Sequence, residues 1–248
     1  MTIQPDTETT TPDQLAQQLA ELLGRPTTTH GLARALRAAE KELELHRTHL
    51  ASQKAWPDGR IDGAPHKVQI GGGGHQIDGF FNIDVVQPAD LLWDVREGIP
   101  LHDGSVDELF SEHFLEHVDY PRSAKYYALE AHRVLAPGGR LITGVPDAAF
   151  VLSQYPEGAA DSAEMIKKWY GKRDCLDHIN THLDLINYVF RDQDDDPTYH
   201  PHYWAYDYNK LVQLFTEAGF AKVEPWDFDP QLANPKRQWG SVYVTATK

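Results

Sequence analysis

The chain of 248 residues holds a single cysteine, Cys175, and two methionines. One thiol cannot close an internal disulfide, so a reducing, cytoplasmic setting is expected. No run of about 18 apolar residues is present, which leaves no candidate for a membrane-spanning helix. Residues 1–14 are polar and acidic, without an apolar stretch behind a basic start, and do not read as a signal peptide. Positive charge is also scarce: 23 Lys and Arg stand against 37 Asp and Glu, for a net charge of −14. A surface that negative repels phosphate backbones and anionic lipid. Nucleic acid and membrane are therefore not expected as partners, and a small molecule is.

What the sequence does contain is ordinary globular material, with 41% hydrophobic and 24% charged residues. Residues 1–11 form a Thr-rich polar tail. Thr11-Pro12-Asp13-Gln14 is a capping box with proline at the first helical position, and Leu15, Leu19, Leu22 and Leu23 share one face of the helix that follows. A second helix is expected over 30–53. This helical extension, 12–56, has the makings of an accessory cap or of a homodimer element; simple packing is the plainer alternative. After the turn Trp56-Pro57-Asp58-Gly59 the pattern becomes β/α alternation. Strands are expected over 67–70, 80–85, 91–95, 106–111 and 140–145, and helices over 121–135 and 208–218. Two late strands, 221–228 and 241–247, have no helix between them. The fold class is α/β: a Rossmann-like, mostly parallel seven-stranded sheet with helices on both faces and an antiparallel edge strand. One main domain spans 57–248, with an insertion over 148–206.

Gly71-Gly72-Gly73-Gly74 directly follows the first strand, where a tight turn lets backbone approach a ligand closely. The second strand ends in Asn82-Ile83-Asp84, and a carboxylate at a strand tip can accept two hydrogen bonds from a ribose diol. A simple loop and a strand-end cap are the bland alternatives. A dinucleotide site needs G-x-G-x-x-G opening a full helix with an acid about 20 residues on, but Gln76 stands in the third glycine's place and Asp84 comes too early. A Walker loop is excluded because no Gly-Lys-Ser/Thr follows.

Together with 99–107, Phe114-Leu115-Glu116-His117-Val118, Ala136-Pro137-Gly138-Gly139 and Glu217-Ala218-Gly219-Phe220, these segments resemble class I S-adenosylmethionine-dependent methyltransferases of the small-molecule branch. The resemblance covers 66–147 and 203–247. It implies that Gly71, Gly72 and Gly73 pass under the methionine part of S-adenosylmethionine and that Asp84 holds the ribose. By the same resemblance Asp94 and Val95 contact the adenine, and Glu112 and His113 face the methionine end and the transferable methyl. Two departures matter. Gln69 replaces the family's usual carboxylate, and the short spacing from Gly71 to Asp84 leaves the intervening helix shortened or missing. The pocket is then more open there, with the N-terminal helices as a plausible cover.

A neutral amine or hydroxyl must lose a proton when it is methylated, so Glu112, His113, His178 and His200 are candidate catalytic groups, with His182 and His202 beside them. For any one histidine a structural role is the simpler alternative. His113/His117 and His178/His182 have the i,i+4 spacing of one helical face, but neither pair carries H-E-x-x-H, and no metal is expected. The insertion's aromatics, Trp169, Tyr170, Tyr188, Phe190, Tyr199, Tyr203, Trp204 and Tyr206, suit either a lid over a sulfonium or a small core of their own. Asp192–196 reads as a solvated loop or as an attractor for a cationic substrate. The expected activity is methyl transfer to N or O of a small neutral or cationic metabolite. The alternatives are use of another part of S-adenosylmethionine, by aminopropyl transfer or cyclisation, or a non-catalytic cofactor-binding subunit.

Overall fold

A capping box starts the first helix, α1 (Pro12–Leu23): Thr11 accepts from the Gln14 amide while the Gln14 side chain caps the Thr11 backbone. It packs on the long α2 (His30–Ala55). The computed structural model describes residues 10–55, 61, 63, 65–153, 155, 181–191 and 201–248. Seven strands follow: β1 (Lys67–Ile70), β2 (Phe81–Asp84), β3 (Leu91–Leu92), β4 (Val106–Glu112), β5 (Leu135–Pro146), β6 (Lys222–Pro225) and β7 (Ser241–Thr247). They form one sheet in the order β3-β2-β1-β4-β5-β7-β6. Pairing is parallel from β3 to β5, and β7 runs antiparallel between β5 and the edge strand β6. The described helices after β4 are α3 (Arg122–Val134), α4 (Ala148–Ser153), α5 (His182–Arg191) and α6 (Tyr208–Glu217).

Both faces of the central strands are buried, which is why they read as continuous apolar runs. Alternate residues serve opposite faces. Leu109 and Leu141 join Val68 and Ile70 in the main core, against Ala128 and Ala131 of α3 and Leu211 and Phe215 of α6. Phe110 and Ile142 point the other way, into a second cluster with Ile77, Ala233 and Tyr243. No helix joins β1 to β2, as the short spacing predicts. That face is covered by chain without regular structure, through Phe80, Trp226, Phe228 and Leu232.

Several boundaries differ from the sequence reading. The third strand stops at Leu92 because Asp94 caps a 3-10 turn, Val95–Glu97, by accepting from the Arg96 amide. β5 begins at Leu135, before the glycines, and residues 136–139 bulge out between the Val106–Leu135 and Glu108–Arg140 pairs. β6 ends at Pro225 rather than 228. His113 and His117 do not share a helical face: His113 has φ 53°, and Leu115–His117 is a 3-10 turn.

The N-terminal extension docks on the β3 edge. Ser52 donates to the Leu92 carbonyl, and Glu42 holds Arg96 through two hydrogen bonds of 2.8 and 3.1 Å. Of the insertion, α4 and α5 pack together through Val151, Ile186, Tyr188 and Val189, with Phe190 against them. Tyr188 and Phe190 thus belong to a small core of their own. Trp169, Tyr170, His178, Asp192–196, Tyr199 and His200 lie outside the described residues. Among the described residues, no helix is long and apolar enough to cross a membrane.

Candidate active site

The carboxyl ends of β1, β2 and β4 open onto a cavity of about 570 Å³, lined by Gly71 to Gly74, Asp84, Asp94, Val95, His113, His117, Asn234 and Arg237, among others. Gly71 turns the chain at φ 68°, and a Cβ there would stand 2.8 Å from the Phe114 ring. At Gly72 a Cβ would stand 2.7 Å from the Asn82 side-chain oxygen. Glycine at these two positions is therefore a steric requirement of the turn.

Asp84 ties this turn to β2. Its Oδ2 accepts from the Gly73 amide at 2.8 Å, and its Oδ1 accepts from Val85 and Val86 at 2.7 and 3.2 Å. A carboxylate offers about four acceptor positions, so one remains for a ligand hydroxyl. Gln69 completes the support. Its Nε2 donates to the His75 carbonyl at 2.7 Å, and its Oε1 accepts from the Ile77 amide at 3.0 Å. A carboxylate has no donor for His75, so the amide suits a loop that lacks the usual helix.

Asp94 and Val95 line the cavity beside Arg96, a residue that no motif or period marks. Arg96 binds both Asp94 oxygens and reaches across to Glu42 of α2. The Asp94 hydrogen bond is the main cause holding the guanidinium above its ordinary pKa. Leu45 of α2 also lines the cavity, so the extension covers part of it. Asp94 and Arg96 form a shared wall with a second cavity of about 710 Å³, lined by Glu42, His46, His49, Glu97, Asp119 and Arg122, among others.

At the end of β4, His113 and Glu112 diverge. Glu112 is buried and does not line the cavity. Its carboxylate accepts from the Tyr243 hydroxyl at 2.7 Å and from the Asn234 amide at 3.1 Å, and Arg237 approaches it at 3.4 Å. It anchors the turn that carries Asn234 and Arg237 to the cavity. Burial first, then Glu112, pushes the Tyr243 phenol up, so it remains a donor. His113 does line the cavity, with Nε2 2.8 Å from Ser241 Oγ and Nδ1 3.5 Å from Glu116 Oε1. Burial, then the charges of Arg237, His202 and His117, lower its pKa well below the ordinary histidine value, so the ring is neutral.

The structure therefore gathers Gly71, Gly72, Gly73, Asp84, Asp94, Val95 and His113 around one cavity. His178 and His200 lie outside the described residues. Among the described residues, none of the insertion's aromatics lines this cavity. Asn234 and Arg237 had no sequence signal, because they arrive from a segment far along the chain; Leu45 comes from the helical extension expected as a cover.

Residues 85–143 match the model of a methyltransferase domain family. A stretch of 59 residues, 24% of this chain, is 44% identical to an uncharacterized 37.1 kDa protein in transposon TN4556 of Streptomyces fradiae and spans only 16% of that protein. Two solved structures are similar over most of both chains. One is an S-adenosylmethionine-dependent methyltransferase of Thermotoga maritima described as a possible histamine N-methyltransferase (18% identity, 87% of this chain and 97% of that one, TM-score 0.43). The other is the 1,6-didemethyltoxoflavin-N1-methyltransferase of Burkholderia thailandensis, with 1,6-didemethyltoxoflavin and S-adenosylhomocysteine bound (15%, 90% and 92%, TM-score 0.42). The match to the methyltransferase domain model lies across the central strands, and a glycine turn and a strand-tip carboxylate stand at the head of the parallel sheet.

Proposed function

We propose that this protein methylates a nitrogen or oxygen of a small, neutral or cationic molecule. S-adenosylmethionine supplies the electrophilic methyl on a sulfonium. The residues present fit it. The cavity is in the range of cofactor sites, roughly 300–1,000 Å³, and has an adaptable acceptor in Asp84 and a floor that no Cβ can fill at Gly71 and Gly72. Asp84, held by the Gly73 amide, orients the nucleoside end. Leu45 and Val95 exclude water there. His113, which lines the cavity with Nε2 2.8 Å from Ser241 Oγ, is the group we assign to take the acceptor's proton. Much of the rate would come from proximity and alignment, which can supply roughly 7–11 kcal/mol.

The observation that carries the choice of acceptor is the adjoining cavity. It is lined by four carboxylates, Glu42, Asp94, Glu97 and Asp119, against two guanidiniums, Arg96 and Arg122. In a chain of net charge −14 this field attracts cations and repels phosphorylated molecules. Isothermal calorimetry with S-adenosylhomocysteine is the first test, with micromolar binding expected; no binding at high micromolar concentration overturns the reading. Mass spectrometry of incubations with amine and phenol panels is the second. A product heavier by one methylene supports methyl transfer. Release of methylthioadenosine indicates aminopropyl chemistry instead.

A further inference from the structure

Beside the cavity, Glu116, His117 and His202 bring one carboxylate and two imidazoles together, their ligand atoms all within 4.8 Å of one another. Glu116 and His117 come from the 3-10 turn after β4, and His202 comes from the far end of the insertion. Backbone contacts dock the two segments: the Glu116 carbonyl accepts from the amides of Tyr203 and Trp204 at 2.7 and 3.4 Å. Trp204 also stacks on Tyr120, with ring centroids 4.7 Å apart.

The chemistry of the donors suits a metal. His202 Nδ1 lies 2.7 Å from the Val189 carbonyl. A carbonyl only accepts, so Nδ1 carries the proton and Nε2 presents the lone pair. Metal-bound histidines are commonly anchored through the second nitrogen in this way. The His117 and His202 rings meet edge to face at 4.7 Å. Glu116 is 2% exposed, so a carboxylate has been taken out of water beside two imidazoles, and a cation there would offset the desolvation. Three ligands at about 2.0–2.2 Å from a tetrahedral ion stand roughly 3.3 Å apart. The donors would need to close by up to about 1.5 Å.

We propose that Glu116, His117 and His202 bind one divalent transition-metal ion, of the zinc or iron(II) class, at the edge of the cavity. Two histidines and a carboxylate, with no further protein ligand among the described residues, are a set that leaves coordination positions open. His117 also lines the cavity, so an open position can take an oxygen or nitrogen of the acceptor. A coordinated hydroxyl would lose its O–H proton to solvent more readily and keep the electron pair on the oxygen that attacks the methyl, the C–S pair leaving on the sulfur of S-adenosylhomocysteine. This use of the ion rests on the methyl-transfer reading; its binding does not. The site departs from the sequence expectation of no metal, which looked for both histidines on one helix and missed a third ligand far along the chain.

The test uses the full chain, stripped with a chelator and without S-adenosylmethionine. Cobalt(II) is titrated by visible absorption, and zinc is titrated by calorimetry. One equivalent should bind with micromolar or tighter affinity and give a d–d band. His117→Gln and His202→Gln should each weaken binding about tenfold or more, whereas His102→Gln should not. Far-UV circular dichroism checks that each variant folds. Should His202→Gln misfold, His117→Gln and Glu116→Gln carry the comparison. No stoichiometric binding, or equal affinity in folded variants and parent, overturns the proposal. Metal binding without S-adenosylhomocysteine binding would overturn the functional reading alone, and the converse would overturn this one alone.

Discussion

Gln69 carries more of the cofactor turn than its neutral side chain suggests. It is 2% exposed, and each end of its amide meets a backbone group of the opposite kind. Gln69→Glu restores the family's usual carboxylate but places a second acceptor against the His75 carbonyl. Leaving such a buried group unsatisfied costs about 1–3 kcal/mol. For a chain of this size that corresponds to a melting point lower by about 2–12 °C. Differential scanning calorimetry of the variant checks it, and an unchanged melting point would show that the loop is held by other contacts. The same residue shows what a sequence can and cannot reveal. The departure from the family pattern was visible at once, and so was the missing helix. That the two are one adaptation was not, because it depends on where the His75 carbonyl falls.

Among the elements, α2 shows how an accessory helix is joined to the site. Glu42, Leu45, His49 and Ser52 face the sheet edge, while most of the helix is exposed. His49 is buried edge to face against Trp93, with ring centroids 4.3 Å apart. Burial is the main cause lowering its pKa; His46 lowers it further, and Asp94 and Glu97 oppose. A histidine with a depressed folded-state pKa binds a proton more readily when unfolded. Its contribution to stability is full above the unfolded value of about 6.5 and is lost as pH falls from there towards the folded value. The melting point should therefore drop on acidification through this window, and His49→Leu should flatten that part of the profile. A parallel profile in the variant would place the sensitivity elsewhere. Strands were legible because a central strand buried on both faces must be apolar along its length. The docking of α2 was not, because the helix meets α1, the sheet edge and the cavity in turn along its length. Arg96, Asn234 and Arg237 were equally silent: each reaches the cavity through the path of the chain, with no period or motif to mark it.

At the scale of the whole molecule, the turn after β1, the tip of β2 and the wall at Asp94 are rigidly joined only if the sheet is folded. A ligand that spans them therefore binds the native state alone. Mass action then sets the gain: a hundredfold excess of free ligand over its Kd stabilises by about 2.7 kcal/mol, or about 5–11 °C at the roughly 2–4 °C per kcal/mol of a chain this size. S-adenosylhomocysteine should raise the melting point by that amount, and NAD should not. Asp84→Ala should lower the melting point of the free protein, because it strands the amides of Gly73, Val85 and Val86. It should also abolish most of the ligand-induced rise, because the remaining acceptor position goes with the carboxylate. A full rise in the variant would mean that the nucleoside is held elsewhere, and the adjoining acidic cavity behind Arg96 would then be the place to look.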